Sequence, residues 1–458
     1  MRHYNPSEIE PKWQQIWADD QRYHTNESSA KPKYYVTGMF PYPSGAGMHT
    51  GHFMEHSIVD AVARFRRALG YNVMYPIGWD SFGLPAENYA IKTGRKPRET
   101  TADNIANFKK QLRSVGASID WSREINTSDP EYYKWTQWIF TKLFEKDLAY
   151  QKESLQWWCP KDKTVLANEQ VIDGKCWRCD SVVVKKSMKQ WFFRITAYAE
   201  QLLAELPEMD WPDKIKIAQT NWIGKSEGAE ITFQVDGSDD TITVFSTRPD
   251  TIFGATFLVL APEHPLARTL LTDETRELVE NYINDAVKKS EIERSNDTKE
   301  KTGVFSGSYA INPATGQKIP IWIADYVLGG YGTGAVMGVP AHDDRDFAFA
   351  EKFELPVVEV IERPEDDIDT DACYHGEGVL VNSGAFDGTR SEDAREQIVA
   401  WLEQEGKGKS QITYKMRDWL ISRQRYWGAP IPIIYCPEHG AVPVPESDLP
   451  VLLPDVDD

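Results

Sequence analysis

Cysteine is scarce: five residues among 458 cannot build a disulfide framework in a chain of this length. No apolar run approaches the roughly 18 residues that a helical membrane span requires. The opening MRHYNPSEIEPKWQQIW also lacks the apolar centre of a secretory leader. The expectation is a soluble, cytoplasmic protein with no membrane partner. Positive charge is in deficit, 51 Lys and Arg against 70 Asp and Glu, for a net charge of -19. That balance counts against a nucleic-acid-coating surface, because phosphate contacts need Lys and Arg. It does not exclude local contact, since RFRRALG, VVVKKSMKQWFFR and LISRQRYWG are basic. What is plentiful points to order: 16 tryptophans and 12% aromatic residues argue against disorder, and 41% hydrophobic content over this length supports a sizeable core in two to four domains.

The stretch FPYPSGAGMHTGHFMEHSIVDAVARFRRALG, residues 40–70, changes character midway. Lys33 to Phe40 carries β-branched and aromatic residues and reads as a strand, whereas Pro41 to Gly47 can only be loop. From His52, the apolar residues Phe53, Ile58, Val62, Phe65 and Leu69 follow helical spacing, and Gly70 is placed to end the helix. YNVMYPIGWD then supplies a second short strand. A βαβ unit of this kind predicts a parallel sheet with a ligand at the strand ends. Glycines at a helix N-terminus let an anion approach backbone N–H groups, and His49 and His52 can add imidazole donors, so a nucleotide polyphosphate suits the site. The plainer alternative is a turn whose histidines only cap and pack.

Cys159 opens C-P-K-D and Cys176 with Cys179 forms C-W-R-C, two knuckle-like pieces 17 positions apart (159 to 176). Asp162 stands where a fourth cysteine would complete a zinc pattern, and a carboxylate oxygen is an acceptable, harder ligand. Cys436 with His439 is half a knuckle without a complement, and Cys373 reads as structural or surface. From about Gly224 to Lys415 the composition shifts to short β-rich runs, interrupted by a charged interval AVKKSEIERSNDTKEKTG and an acidic loop ERPEDDIDTD, both expected to be solvated. Flanked on both sides by similar α/β sequence, this block reads as an inserted domain. Two of its peptides, TVFSTRPDTIFG and GVPAHDDRDFAFA, gather hydroxyls, acids and arginines; taken alone they satisfy β propensity and capping equally well.

Together with FPYPSGAGMHTGH, the peptides PIGWDSFGLPAENYAI, DWSREINTSDPEYYKWTQWIF, TVLANEQVIDGKCWRC, NWIGKSEG, STRPDTIFGATF, GTGAVMGVPAHDDRDFAFA and RDWLISRQRYWGAPIPI resemble the leucyl-tRNA synthetases of bacterial type, within the class I aminoacyl-tRNA synthetases. The resemblance runs the length of the chain. Isoleucyl and valyl enzymes share the H-x-G-H element, but the Pro-Tyr-Pro-Ser-Gly lead-in and the Trp-Asp-Ser-Phe-Gly-Leu-Pro-Ala-Glu peptide look like the leucyl branch.

The resemblance implies an α/β fold: a Rossmann-type catalytic domain (1–153, with 189–223 and 416–458), a zinc-binding module (154–188) and an inserted β-rich α+β editing domain (224–415). It implies ATP with Mg, leucine and tRNA-Leu as ligands. His49 and His52 would contact the ATP phosphates while the leucine carboxylate attacks. Met39, Phe40, Tyr42 and Gly51 would line the substrate pocket, and Asp80 would face the leucine ammonium. A structural zinc would be held by Cys159, Asp162, Cys176 and Cys179. In the insertion, Asp346 would anchor the amino group of a mischarged ester and Thr251 would bar leucine. Ser246 and Thr247 would hold the ester or its water, with Arg248, Asp250, His342, Asp343 and Arg345 around them. A second sieve is physically warranted, because a pocket separates substrates differing by a methylene by only about 1–3 kcal/mol.

The family's Lys-Met-Ser-Lys-Ser loop, the second half of its nucleotide fold and its tRNA-reading helical domain are not found in the sequence. KKSMKQ, residues 185–190, matches that loop in composition only. The reading is therefore an N-terminal part, with a second polypeptide a candidate partner and little leucine-dependent ATP–pyrophosphate exchange expected of the isolated chain. Alternatives are an isoleucyl- or valyl-branch enzyme, or a non-catalytic RNA-binding or interaction protein built from synthetase parts.

Overall fold

The computed structural model describes the chain except residues 1–3, 46, 167–169, 173, 288, 290, 295–299, 330–331, 365–372, 423 and 456–458. It separates into two compact units: residues 1–151, 191–193 and 420–458 form the first, and 152–190 with 194–419 the second.

In the first unit, strand Lys33–Tyr35 runs parallel to Asn72–Met74, pairing Tyr34 with Val73, and the helix Thr50–Ala68 connects them. A second parallel pair joins Ile77–Trp79 to Glu124–Asn126. The expected βαβ unit is present, built on short strands. The first strand ends at Tyr35, five residues earlier than its composition suggests. Beyond it the backbone serves another purpose: the Met39 N–H is taken by the Glu55 carboxylate, and Gly38 lies against His56, so this segment is fastened to the helix and leaves the sheet.

The connecting helix forms as its spacing predicts. Its periodicity holds and Gly70 follows its end with a φ of +88°. The apolar stripe is only partly covered: Ile58, Phe65 and Leu69 are exposed, Phe53 and Val62 are half-buried, and His56 and Ala63 are the buried residues of the helix. The core beneath is made of Ala63, Val73, Tyr75, Ile77, Trp79, Phe108, Leu112 and Ile119, with the helix Pro97–Ser114 supplying Phe108 and Leu112. Arg425 and the Tyr426 N–H both bond Glu87 on the helix Leu84–Thr93, so within the first unit the segment 420–458 is tied to this helix by a largely buried ion pair.

The second unit centres on a seven-stranded sheet in the order 241–246, 225–235, 303–311, 318–324, 257–260, 335–338, with 408–414 pairing along 225–235. Among the described residues its strand pairs are antiparallel except Phe257–Leu260 with Lys318–Ala324. Alternation puts Ala229, Ile231, Phe233 and Val235 into one core, which the helices Arg276–Ala286 and Ser391–Gln404 cover with Val279, Ile283, Ala394, Ile398 and Leu402. The expectation of a wholly solvated charged interval is overturned at Arg294. That side chain is buried and bonds the Asp325 and Val327 carbonyls as well as Glu263, an arrangement that satisfies a guanidinium inside a protein. Most of the acidic loop ERPEDDIDTD lies outside the described residues.

Candidate functional site

The histidine pair is organised by its helix. His49 is the N-cap, with extended backbone, and the Nδ1 of each histidine accepts the backbone N–H of the other at 3.3 Å. The rings stack with centroids 3.6 Å apart. Because both Nδ1 atoms accept, the mobile proton of each neutral ring sits on Nε2, which leaves two N–H donors beside the positive end of the helix. Burial, followed by the neighbouring His49, holds the His52 pKa below the ordinary value, which favours a neutral donor. Gly51 makes the fold-back of His49 feasible, since a Cβ there would lie 3.0 Å from the His49 ring. Capping and donor roles coexist.

The proline-rich lead-in is held by the helix Pro97–Ser114, whose Asn104 donates to the Pro43 carbonyl and whose Gln111 accepts the Met48 N–H. Phe40 packs against Gly78, where a Cβ would come within 2.2 Å of the ring. Met39 and Tyr42 are exposed beside it. Asp80 is half-buried and joins no ion pair among the described residues; burial raises its pKa, partly offset by a bond from the Tyr42 hydroxyl. A carboxylate in that state is short of a cation. Neither Asn104, Gln111 nor Glu55 carries a local signal that would have singled it out in the sequence.

The four proposed zinc ligands converge in the second unit. One ligand atom each from Cys159, Asp162, Cys176 and Cys179 lies within 4.8 Å of the others, with Cys159 and Cys179 sulfurs 3.4 Å apart and the Cys176 sulfur 3.3 Å from Asp162 Oδ2. Burial raises Cys159, but bonds from the Ser181 hydroxyl and the Asp162 N–H bring it below the usual thiol value, whereas burial pushes Cys176 up to about 12. The donor set and its spacing fit a tetrahedral zinc ion. Cys436 sits in a hairpin with His439, Sγ to Nδ1 3.3 Å, and no further ligand joins them among the described residues.

The inserted domain brings its two peptides together. Thr251 and Asp250 are fully buried in the turn Pro249–Gly254; the Thr251 hydroxyl donates to the Arg248 carbonyl at 2.8 Å, and the Arg248 N–H is accepted by Ser246. Thr247 is exposed next to them. Arg248 pairs with Asp250 at 2.9 Å and also donates to the His375 carbonyl, which links this turn to the loop beside the second peptide.

There, Asp343 caps the helix Asp344–Lys352 by accepting the Arg345 and Asp346 N–H groups, and pairs with the Arg345 side chain. Asp346 is buried, accepts the Val339 N–H at 2.9 Å and lies 3.4 Å from the Tyr326 hydroxyl. Burial, then the adjacent Asp343, raises the Asp346 pKa to about 7. His342 is a strut: its Nε2 accepts the Val360 N–H and its Nδ1 donates to the Tyr374 carbonyl, so both ring nitrogens are committed to backbone. Sequence reasoning missed Tyr326, Glu377 and Arg395. The last pairs with Glu377 and lies 3.4 Å from Asp250, which extends the ionic chain from Arg248. Cys373 is buried, its thiol pushed up to about 12 by burial and by Asp344 and Asp343.

Comparison with known proteins places the chain in a family. Residues 220–403 match the family model "Leucyl-tRNA synthetase, editing domain", and residues 12–231 with 392–449 match "tRNA synthetases class I (I, L, M and V)". The leucine--tRNA ligase of Thermotoga maritima is 54% identical over 458 residues, covering 99% of this chain and 56% of that protein. The crystal structure of the ternary complex of Agrobacterium radiobacter K84 agnB2 LeuRS with tRNA and LeuAMS superposes with a TM-score of 0.83 at 41% identity, covering all of this chain and 54% of that one. The chain thus spans about half the length of the proteins it matches. By these matches, the chain belongs to the class I tRNA synthetases, in the leucyl-tRNA synthetase family, and carries that family's editing domain.

Proposed function

We propose that this chain supplies the ATP- and leucine-binding part of a leucine–tRNA ligase, and that its inserted domain hydrolyses tRNA-Leu charged with the wrong amino acid. The observation that carries the editing role is Asp346, a buried carboxyl that no cation pairs with among the described residues, in a domain where the turn carrying the buried Thr251 is linked to the Asp346 peptide through Arg248 and His375. An aminoacyl ester brings an ammonium that suits such a carboxylate. Hydrolysis then asks for a positioned water that adds to the ester carbonyl carbon, after which the ribose oxygen leaves and takes up a proton. The ester is already activated, so anchoring and orientation suffice. His342 positions the site through backbone bonds and leaves proton transfer to other groups.

In the first unit, the two Nε2–H groups of His49 and His52 and the helix N-terminus suit the ATP phosphates, Mg accompanying the nucleotide. Asp80, in no ion pair among the described residues, suits the leucine ammonium, with Met39, Phe40, Tyr42 and Gly51 as the further substrate contacts. LeuAMS and tRNA bound to the Agrobacterium enzyme support leucine, ATP and tRNA-Leu as ligands here. The test is direct: the chain, incubated with tRNA-Leu carrying norvaline or isoleucine, should release the amino acid and spare the leucyl ester. Equal hydrolysis of all three, or none, would sink the editing assignment.

Zinc on Cys159, Asp162, Cys176 and Cys179 would fasten the 154–188 module by replacing weak S–H contacts with metal bonds. Cys176→Ser should lose the ion, because a hydroxyl is a poor zinc ligand, and should lower the module's melting temperature. Elemental analysis of protein purified without chelator decides it: zinc absent from the parent chain, or retained undiminished by Cys176→Ser, overturns the ligand set.

A further inference from the structure

A second cluster of mixed donors lies outside the zinc-like one. Asp344, Cys373 and His375 each offer one ligand atom within 4.8 Å of the other two. Asp344 is the first residue of the helix Asp344–Lys352, and the cysteine and histidine belong to the loop packed against it. The histidine is oriented by its other nitrogen: Nδ1 stands 3.2 Å from the His342 carbonyl oxygen, which can only accept, so Nδ1 carries the proton. Nε2 then presents a lone pair, and it faces Asp344 Oδ1 at 3.0 Å. Two acceptors at that separation need a cation between them, either a second proton on the ring or a metal. A backbone carbonyl behind the coordinating imidazole is the usual device for aiming metal-bound histidines.

A nucleophile reading fails on the same geometry. With Nδ1 donating to a carbonyl and Nε2 turned to Asp344, the ring has no nitrogen left to take the Cys373 proton, and the thiol is directed at the Pro340 carbonyl at 3.2 Å. We propose that Asp344, Cys373 and His375 form a binding site for a divalent transition ion of zinc-like preference, with a fourth position open to water. One nitrogen, one sulfur and one carboxylate oxygen suit such an ion and disfavour magnesium or calcium, which prefer oxygen donors alone. The thiolate and carboxylate together balance its two charges, and the Cys373 proton is released on binding. Because Arg248 donates to the His375 carbonyl, an ion here would also secure the loop that holds the Thr251 turn.

Cobalt(II) is the probe, since a thiolate ligand gives it a charge-transfer absorption. The full chain should take up one more equivalent than Cys373→Ser, and that increment should carry a thiolate band. His375→Gln and Asp344→Asn, at more exposed positions, should weaken the same equivalent by at least tenfold while leaving the equivalent at Cys159, Cys176 and Cys179 intact. Zinc added at the second equivalent should raise the melting temperature of the parent chain and of none of the three variants. If the parent and all three variants bind cobalt with the same stoichiometry and affinity, the cluster is a protonated histidine paired with an aspartate, and the metal assignment is overturned.

Discussion

Asp346→Asn should abolish release of norvaline from tRNA-Leu and, at the same time, make the folded protein more stable at alkaline pH. The first effect follows from removing one partner of a buried pair, worth about 3–5 kcal/mol, or roughly two to four orders of magnitude in rate if the substrate ammonium is that partner. The second follows from linkage. Burial and Asp343 raise Asp346 from 3.8 to about 7, so across that window the native state holds a proton that the unfolded chain has released. Stability is therefore present below the lower value and lost as pH rises through about 7. Asparagine carries no such burden. The stability gap between variant and parent should widen by about 2–3 kcal/mol from about pH 5 to about pH 8, read by denaturant unfolding at each pH. Deacylation by the parent should climb over the same range as the carboxylate forms. A gap that does not change with pH would mean that Asp346 is not held protonated, and full activity in Asp346→Asn would remove it as the anchor.

Thr251→Ala should turn the editing domain against its own correct product. Thr251 is wholly buried and its hydroxyl is spent on the Arg248 carbonyl, so in the proposed editing role the side chain would work by bulk and position. Removing that bulk admits a larger side chain, and leucyl-tRNA hydrolysis should rise by about 10–200-fold, the range a methylene-sized change in a pocket commands. Valine provides the control. Thr251→Val keeps the shape and gives up the hydrogen bond, which costs about 1 kcal/mol of stability, yet leucyl-tRNA should still be spared. Deacylation rates on leucyl and norvalyl esters, compared across the two variants, separate the roles. If valine behaves as alanine does, the hydroxyl selects and the steric role is wrong.

What the sequence disclosed depended on range. The helix after His49 was legible because spacing of 3.6 is a local property. Which of its faces is buried was not, since periodicity marks a stripe without naming what packs on it, and Ile58, Phe65 and Leu69 proved exposed. The peptides around Thr251 and Asp346 were legible as motifs. Their junction was not, because Arg395 reaches Asp250, and Glu377 pairs with Arg395, from a helix and a loop more than a hundred residues away in sequence. Arg294 was misjudged for the same reason: a charge run looks solvated until Glu263 and two distant carbonyls are placed beside one of its members. Lys33–Phe40 shows the converse, a β-prone composition cut short by Glu55 claiming the Met39 N–H.

The reciprocal bonds between His49 and His52 also bear on how mutagenesis here should be designed. Alanine at either position removes a ring donor and a helix cap together, and a lost cap alone costs about 1 kcal/mol, so an alanine scan would mix folding with chemistry. Asparagine at 49 is itself a favoured N-cap, and glutamine at 52 occupies the third helical position, where it can reach back to the cap N–H. His49→Asn and His52→Gln therefore preserve the helix start while deleting the imidazoles, and any loss of nucleotide affinity they cause can be charged to the Nε2–H groups alone.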